Sequence, residues 1–128
     1  MATGKQKIMV LDDEEIIRDV AGEVLSAEGY EVVFAESGEE AVELYRTEYR
    51  AEVPIALVLI DLTLPGISGE DTFKKLKEID PEVKAIVSSG YTTDPVMLDF
   101  RSYGFAGAVA KPYPIKALRE LVANILSS

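Results

Sequence analysis

The sequence contains no cysteine, which excludes a disulfide scaffold, thiol catalysis and thiolate metal centres. It contains no histidine either, so Ser-His-Asp triads, imidazole metal centres and histidine general bases are all ruled out. Positive charge is scarce: 13 Lys and Arg stand against 23 Asp and Glu, a net charge of −10. A surface this acidic repels phosphate backbones and anionic lipid, so direct contact with nucleic acid or a membrane is not expected. No apolar run approaches the length of a membrane span. Met1 to Lys7 carries positive charge, but the apolar stretch behind it, Ile8 to Leu11, is too short for a signal-peptide core and runs straight into acids. These absences predict a chain that works in the cytoplasm.

What is present suits a packed core. The 128 residues fit one domain, 1–128, and an apolar fraction of 48% is ordinary for a globular protein. Short apolar runs alternate with segments of helical spacing. Ile8 to Leu11 is followed by Ile17, Val20, Ala21, Val24 and Leu25, which predict a helix ending at Gly29. Glu31 to Ala35 favours strand. Ser37 and Glu40 have capping-box spacing before Ala41, Leu44 and Tyr45, and the polar stretch from Tyr45 to Pro54 predicts a somewhat long loop. Ile55 to Ile60 is apolar on both faces, as in a parallel strand covered by helices. A helix with Phe73, Leu76 and Ile79, a strand over Val83 to Val87, a helix opened by Asp94-Pro95, a short strand over Gly107 to Ala110 and a last helix after Pro114 complete the pattern. Five strands alternating with five helices predict an α/β fold: a doubly wound parallel sheet in a three-layer αβα sandwich.

Right-handed crossovers place the carboxyl ends of all five strands along one edge, where ligands bind in such sheets. The first strand ends at Asp12-Asp13, the third at Asp61, the fourth at Ser88-Ser89 and the fifth at Lys111. Three carboxylates packed together repel, and a hard divalent cation with oxygen ligands relieves the repulsion. A carboxylate beside Mg2+ and a lysine can act as a nucleophile toward phosphorus, with metal and ammonium neutralising the transferring group. Each residue also has a plainer reading. Asp12 to Glu15 fits the acidic first turn of a helix, Asp61 fits a turn before Pro65-Gly66, Ser88 and Ser89 fit loop hydroxyls, and Lys111 fits a surface lysine. The combination favours a site, because the plainer readings require several coincidences on one sheet edge.

The chain resembles the receiver domains of His-Asp phosphorelays over about Lys7 to Leu126. The resemblance rests on Val10-Leu11-Asp12-Asp13-Glu14, on Leu59 to Gly69 with Asp61, Pro65 and Gly66, on Val87-Ser88-Ser89-Gly90-Tyr91, and on Lys111-Pro112-Tyr113. It implies a flavodoxin-like sheet of strand order 2-1-3-4-5 and a phosphoacceptor at Asp61. It further implies Mg2+ held by Asp13, Asp61 and the backbone carbonyl of Thr63, with Asp12 acting through water. Ser89 would be the switch hydroxyl, and Lys111 would pair with Asp61 or its phosphate across a cis Lys111-Pro112 bond. Thr63 and Tyr91 stand where phosphate lifetime is tuned. The implied donor is a sensor histidine kinase or a histidine phosphotransfer domain, and the implied role is a phosphorylation-switched protein surface rather than a turnover enzyme. That surface would comprise the fourth helix, fifth strand and fifth helix, with pairing into a homodimer on phosphorylation. The wording Ser-Gly-Tyr and Ala-Lys-Pro-Tyr looks most like receivers attached to hybrid sensor kinases, or stand-alone receivers near them. Without an output domain, the signal is expected to leave through protein contacts or onward transfer to a histidine partner. One departure is notable: Ala108 stands three residues before Lys111, where many receivers carry an aromatic ring, and neither Tyr103 nor Phe105 is an evident substitute.

Three other readings compete. A haloacid-dehalogenase-type phosphatase would use Asp61-Leu62-Thr63 as its nucleophile motif, but its nucleophile follows the first strand rather than the third. A flavodoxin-like FMN binder needs a hydroxyl- and Gly-rich loop after the first strand, where this chain has Asp-Asp-Glu-Glu. A non-phosphorylated pseudo-receiver would leave chemical positions vacant, and here all five are filled.

Overall fold

The computed structural model describes residues 6–127. The N-terminal stretch weighed above for a signal peptide therefore lies largely outside the described residues. The elements are β1 (Lys7–Leu11), α1 (Glu15–Ala27), β2 (Glu31–Ala35), α2 (Gly38–Tyr49), β3 (Ile55–Asp61), α3 (Gly69–Ile79), β4 (Ala85–Ser89), α4 (Pro95–Leu98), a 3-10 turn (Phe100–Tyr103), β5 (Gly107–Ala110) and α5 (Ile115–Leu126). The strands form one parallel sheet in the order β2-β1-β3-β4-β5, as the alternation and the resemblance predict. Among the described residues no helix is long and apolar enough to cross a membrane.

Side chains alternate across each strand and feed two cores. On one face Met9, Leu11, Val58, Ile60 and Val87 pack against Val42 and Tyr45 of α2, Phe73 and Leu76 of α3, and Val96. On the other, Ile8, Val10, Leu57, Leu59, Ile86 and Val109 pack against Ala21 and Leu25 of α1 and Leu118 and Val122 of α5. Because β1, β3 and β4 are buried on both sides, their register is fixed from both faces, and so is the position of each residue at their carboxyl ends.

Caps fix where the helices begin. Ser37 accepts from the amide of Glu40, and Ser68 accepts from that of Asp71. The Glu40 carboxylate reaches back to the amide of Glu36, one residue before the cap, so the expected capping box forms with a one-residue offset. Helix α1 ends before Gly29, whose φ of +95° lies in the left-handed region.

Two expectations need correcting. The fourth strand runs from Ala85 to Ser89, not from Val83 to Val87. Val83 belongs to the turn after α3, its amide donating to the Asp80 carbonyl. Ser88 and Ser89 extend the strand because they pair in register with Asp61 and Ala110. Second, α2 continues through Tyr49, which stacks on Tyr45 at 6.3 Å, so the connection to β3 is shorter than the polar composition suggested. The helix opened by Asp94-Pro95 forms as expected and is four residues long. Asp94 caps it, accepting from Val96, but Asp99 leaves helical geometry and a 3-10 turn follows, closed by Gly104 at φ +91°. Asp99 accepts instead from the Ser102 hydroxyl, a local bond that competes with helix continuation.

Tyr45 ties the helical layer together. It is 2% exposed, and its hydroxyl donates to the Asp80 carboxylate at 2.7 Å. Burial first, then Asp80, pushes the phenol well above its usual range. Tyr45→Phe is expected to lower stability by about 1–2 kcal/mol, because the bond to a charged acceptor is lost. The pH dependence has a definite sign. A phenol that resists ionisation in the fold but ionises near pH ~10 when unfolded stabilises the fold below that pH and loses this contribution as pH rises. Urea melts on either side of that pH should show a shallower alkaline loss in Tyr45→Phe than in wild type; equal slopes would refute the assignment.

Candidate phosphoacceptor site

The carboxyl edge of the sheet gathers the polar strand ends into one cavity of about 500 Å3, lined by Asp13, Glu14, Asp61, Thr63, Ser89, Gly90, Tyr91 and Lys111. Asp12 follows β1, with its amide bonded to the Ala35 carbonyl at 3.2 Å, and is fully buried. Its Oδ1 accepts from the Glu14 amide at 2.9 Å. Asp61 ends β3 and is 2% exposed; its Oδ1 accepts from the Thr63 amide at 3.2 Å. Asp13 faces solvent, yet Asp12, Asp13 and Asp61 each present a carboxylate oxygen within 4.8 Å of the others.

Lys111 enters from the opposite side of the edge. Its amide donates to the Ser89 carbonyl at 3.0 Å, and the Lys111-Pro112 bond is cis. The ammonium stands 3.0 Å from Asp12 Oδ2, 3.0 Å from Asp61 Oδ2 and 3.5 Å from Glu14 Oε1. Burial lowers its affinity for a proton, but the hydrogen bonds and charges of Asp12 and Asp61 outweigh this and hold it above the usual lysine range. Asp61 shows the reverse balance. Burial, joined by the charge of Asp12, pushes its carboxyl up despite the Lys111 bond. One ammonium does not neutralise three carboxylates. The donor set of hard carboxylate oxygens with excess negative charge fits a divalent cation that prefers oxygen ligands. The same charges oppose the phosphate of a flavin.

Ser88 and Ser89 diverge, as neighbouring strand residues must. The Ser89 hydroxyl lines the cavity and accepts from the Tyr91 amide at 2.9 Å. Ser88 turns to the other face, its Oγ 3.4 Å from the Ile60 carbonyl and 3.4 Å from the Tyr113 hydroxyl. Thr63 lines the cavity and is exposed. Ala108 is half-buried among the apolar residues of the α2 and α3 side. Phe105 cannot substitute for a mobile ring at that position, because it stacks on Phe73 at 4.3 Å and is 2% exposed.

Two contributors escape sequence reading. Arg18 donates to the Asp12 carbonyl at 2.7 Å, and the Tyr113 hydroxyl reaches Ser88. Arg18 sits six residues from Asp12, a spacing that carries no signal until the turn into α1 is known. Tyr113 belongs to the Lys111-Pro112-Tyr113 motif, but nothing in the sequence points its hydroxyl at Ser88.

Residues 8–123 match the model of the response regulator receiver domain. The sporulation initiation phosphotransferase F of Bacillus subtilis is 31% identical over 121 residues, which span 94% of each chain. The sensor kinase CckA of Brucella abortus is 30% identical over 124 residues, but the chain spans only 13% of that protein. Among solved structures, the response regulator TrrA from Thermotoga maritima in complex with Mg2+-BeF superposes with a TM-score of 0.81 at 31% identity, covering 94% of this chain and 98% of that one.

Proposed function

The chain belongs to the response regulator receiver family, and from that premise we propose that Asp61 is the residue on which this phosphoacceptor of two-component signalling carries its phosphoryl group. The observation that carries the assignment is the position of Lys111, equidistant at 3.0 Å from buried Asp12 and Asp61 at the head of an acidic cavity. In the proposed reaction an Asp61 carboxylate oxygen attacks the phosphorus of a phosphohistidine or a small acyl phosphate. The new P–O bond forms in line with the breaking P–N or P–O bond, and the leaving group departs with its electron pair. Lys111 offers its ammonium to the charge that develops on the phosphoryl oxygens. The Ser89 hydroxyl, already at the cavity wall, exchanges its Tyr91 amide bond for one to the arriving group, and this exchange biases a two-state equilibrium. Asp12, Asp13 and Asp61, with the Thr63 carbonyl, would hold Mg2+. When bound, Mg2+ supplies positive charge to the transferring group.

The family and the site support a phosphorelay partner, a sensor kinase or a histidine phosphotransfer domain, and no turnover of external phosphoesters. The reading treats residues 1–128 as one receiver unit acting in the cytoplasm, with output through α4, β5 and α5, where α4 is a single helical turn, and with pairing on phosphorylation. Incubation with acetyl phosphate and Mg2+ is expected to add one phosphoryl group by intact mass, with EDTA preventing it. Borohydride reduction of the adduct followed by peptide mapping should place the modified residue at Asp61. Label at Asp12 or Asp13, or no adduct even with a phosphorylated kinase, would overturn the assignment.

A further inference from the structure

The buried hydroxyls of Ser88 and Tyr113 lie directly beneath the acceptor. Ser88 is held to both peptides that flank Asp61. Its carbonyl accepts from the Leu62 amide at 2.8 Å, and its Oγ lies 3.4 Å from the Ile60 carbonyl. A carbonyl can only accept, so the Ser88 hydroxyl donates to Ile60, and its lone pairs face Tyr113. The Tyr113 hydroxyl, 3.4 Å away, is then the donor. Burial pushes this phenol up to about 12, so it keeps its proton across the physiological range. Its ring, 7% exposed, belongs to the core formed with Val10, Val109 and Leu118, which leaves little freedom for Pro112, the one residue between it and Lys111.

The loop 111–113 therefore meets the sheet edge twice: the Lys111 ammonium grips the Asp61 carboxylate of β3 from the cavity, and the Tyr113 hydroxyl reaches Ser88, the register partner of Asp61 on β4. We propose that Tyr113 is a positioning residue for phosphoryl uptake, setting through Ser88 the distance between Lys111 and Asp61. Both contacts are long, so their energies are small. Their effect is geometric, and a catalytic group displaced by a fraction of an ångström loses rate steeply.

The inference rests on the reading of Asp61 as acceptor, and its test separates the two. Uptake from acetyl phosphate is followed by intact mass in wild type, Tyr113→Phe, Ser88→Ala, the double variant, Lys111→Ala, and Lys111→Ala with Tyr113→Phe. Tyr113→Phe is expected to slow uptake at saturating donor on the order of tenfold, with Mg2+ affinity by calorimetry unchanged. Ser88→Ala should slow it similarly, and the double variant should be no slower than the slower single one. With Lys111 already removed, Tyr113→Phe should have no further effect. Ser88→Ala deletes only a hydroxyl and keeps the question decidable should Tyr113→Phe fold poorly. Wild-type uptake with unaltered rates in both single variants overturns the positioning role, as does a Tyr113 effect that persists without Lys111. Failure of wild type itself to take up phosphate instead removes the acceptor reading.

Discussion

Asp61→Asn is expected to take up no phosphoryl group, one per chain falling to none by intact mass, and at the same time to be more stable than wild type in metal-free buffer. The first effect follows from the loss of the nucleophilic oxygen: an amide oxygen accepts hydrogen bonds but does not form a stable phosphoryl ester at this site. The second follows from the electrostatics. Asp61 is 2% exposed and shares with Asp12 and Asp13 a cluster in which carboxylate oxygens lie within 4.8 Å of one another. Burial and the charge of Asp12 both disfavour its ionised form. Asparagine keeps the acceptor for the Thr63 amide and leaves Lys111 to Asp12, while removing one of the repelling charges. A gain of about 1 kcal/mol, a few degrees in Tm, is the expected size. The paired outcomes are informative because a misfolded variant would also fail to react. A variant that melts higher and does not react has lost chemistry alone. An adduct on Asp61→Asn would show that another carboxylate is the acceptor.

Gly69→Ala should have the largest effect on stability among the substitutions considered. Gly69 is the first residue of α3, and its amide donates to the Leu62 carbonyl at 3.1 Å. A Cβ there would lie 2.2 Å from the Asp61 carbonyl oxygen and 2.9 Å from the Leu62 Cα. Both obstacles are backbone, so no side-chain rotation relieves the clash; either α3 or the end of β3 must move. The expected loss is about 2–3 kcal/mol, and uptake should slow because the displaced backbone carries the acceptor. Gly90→Ala is the appropriate control. Gly90 lines the same cavity, has no atom within 4 Å of a Cβ position and has no positive φ, so it should melt close to wild type. Equal urea midpoints for the two variants would refute the argument.

These sites show which parts of the molecule can be read from sequence. The strands β1 and β3 were legible because burial on both faces demands unbroken apolar runs, and the acids that end those runs mark the sheet edge. Lys111 was legible by the same logic. The start of β4 was not, because Val83 reads as part of the apolar run until its amide bond to the Asp80 carbonyl places it in the turn after α3. The length of α4 was not legible either. Its cap and proline announce a start, whereas its end depends on Asp99 choosing Ser102 over helix continuation. Arg18 and Tyr113 were missed for a shared reason. Each acts through a contact between groups whose proximity exists only once α1 and the loop before α5 have packed on the sheet.

The brevity of α4 has a dynamic corollary. Its i to i−4 hydrogen bonds are those from Leu98 to Asp94 and from Asp99 to Pro95, and beyond them a 3-10 turn runs to a left-handed glycine. Leu98 is 70% exposed, and Val96 is the buried anchor of the helix. Sub-global opening of this stretch breaks few main-chain bonds and uncovers Val96, Met97 and Phe100 rather than a whole core, so its free energy lies below that of global unfolding. The stretch begins six residues after Ser89. A hydroxyl that shifts there adjoins a compliant neighbour, tied to the core by Val96 and by the packing of Met97 and Phe100.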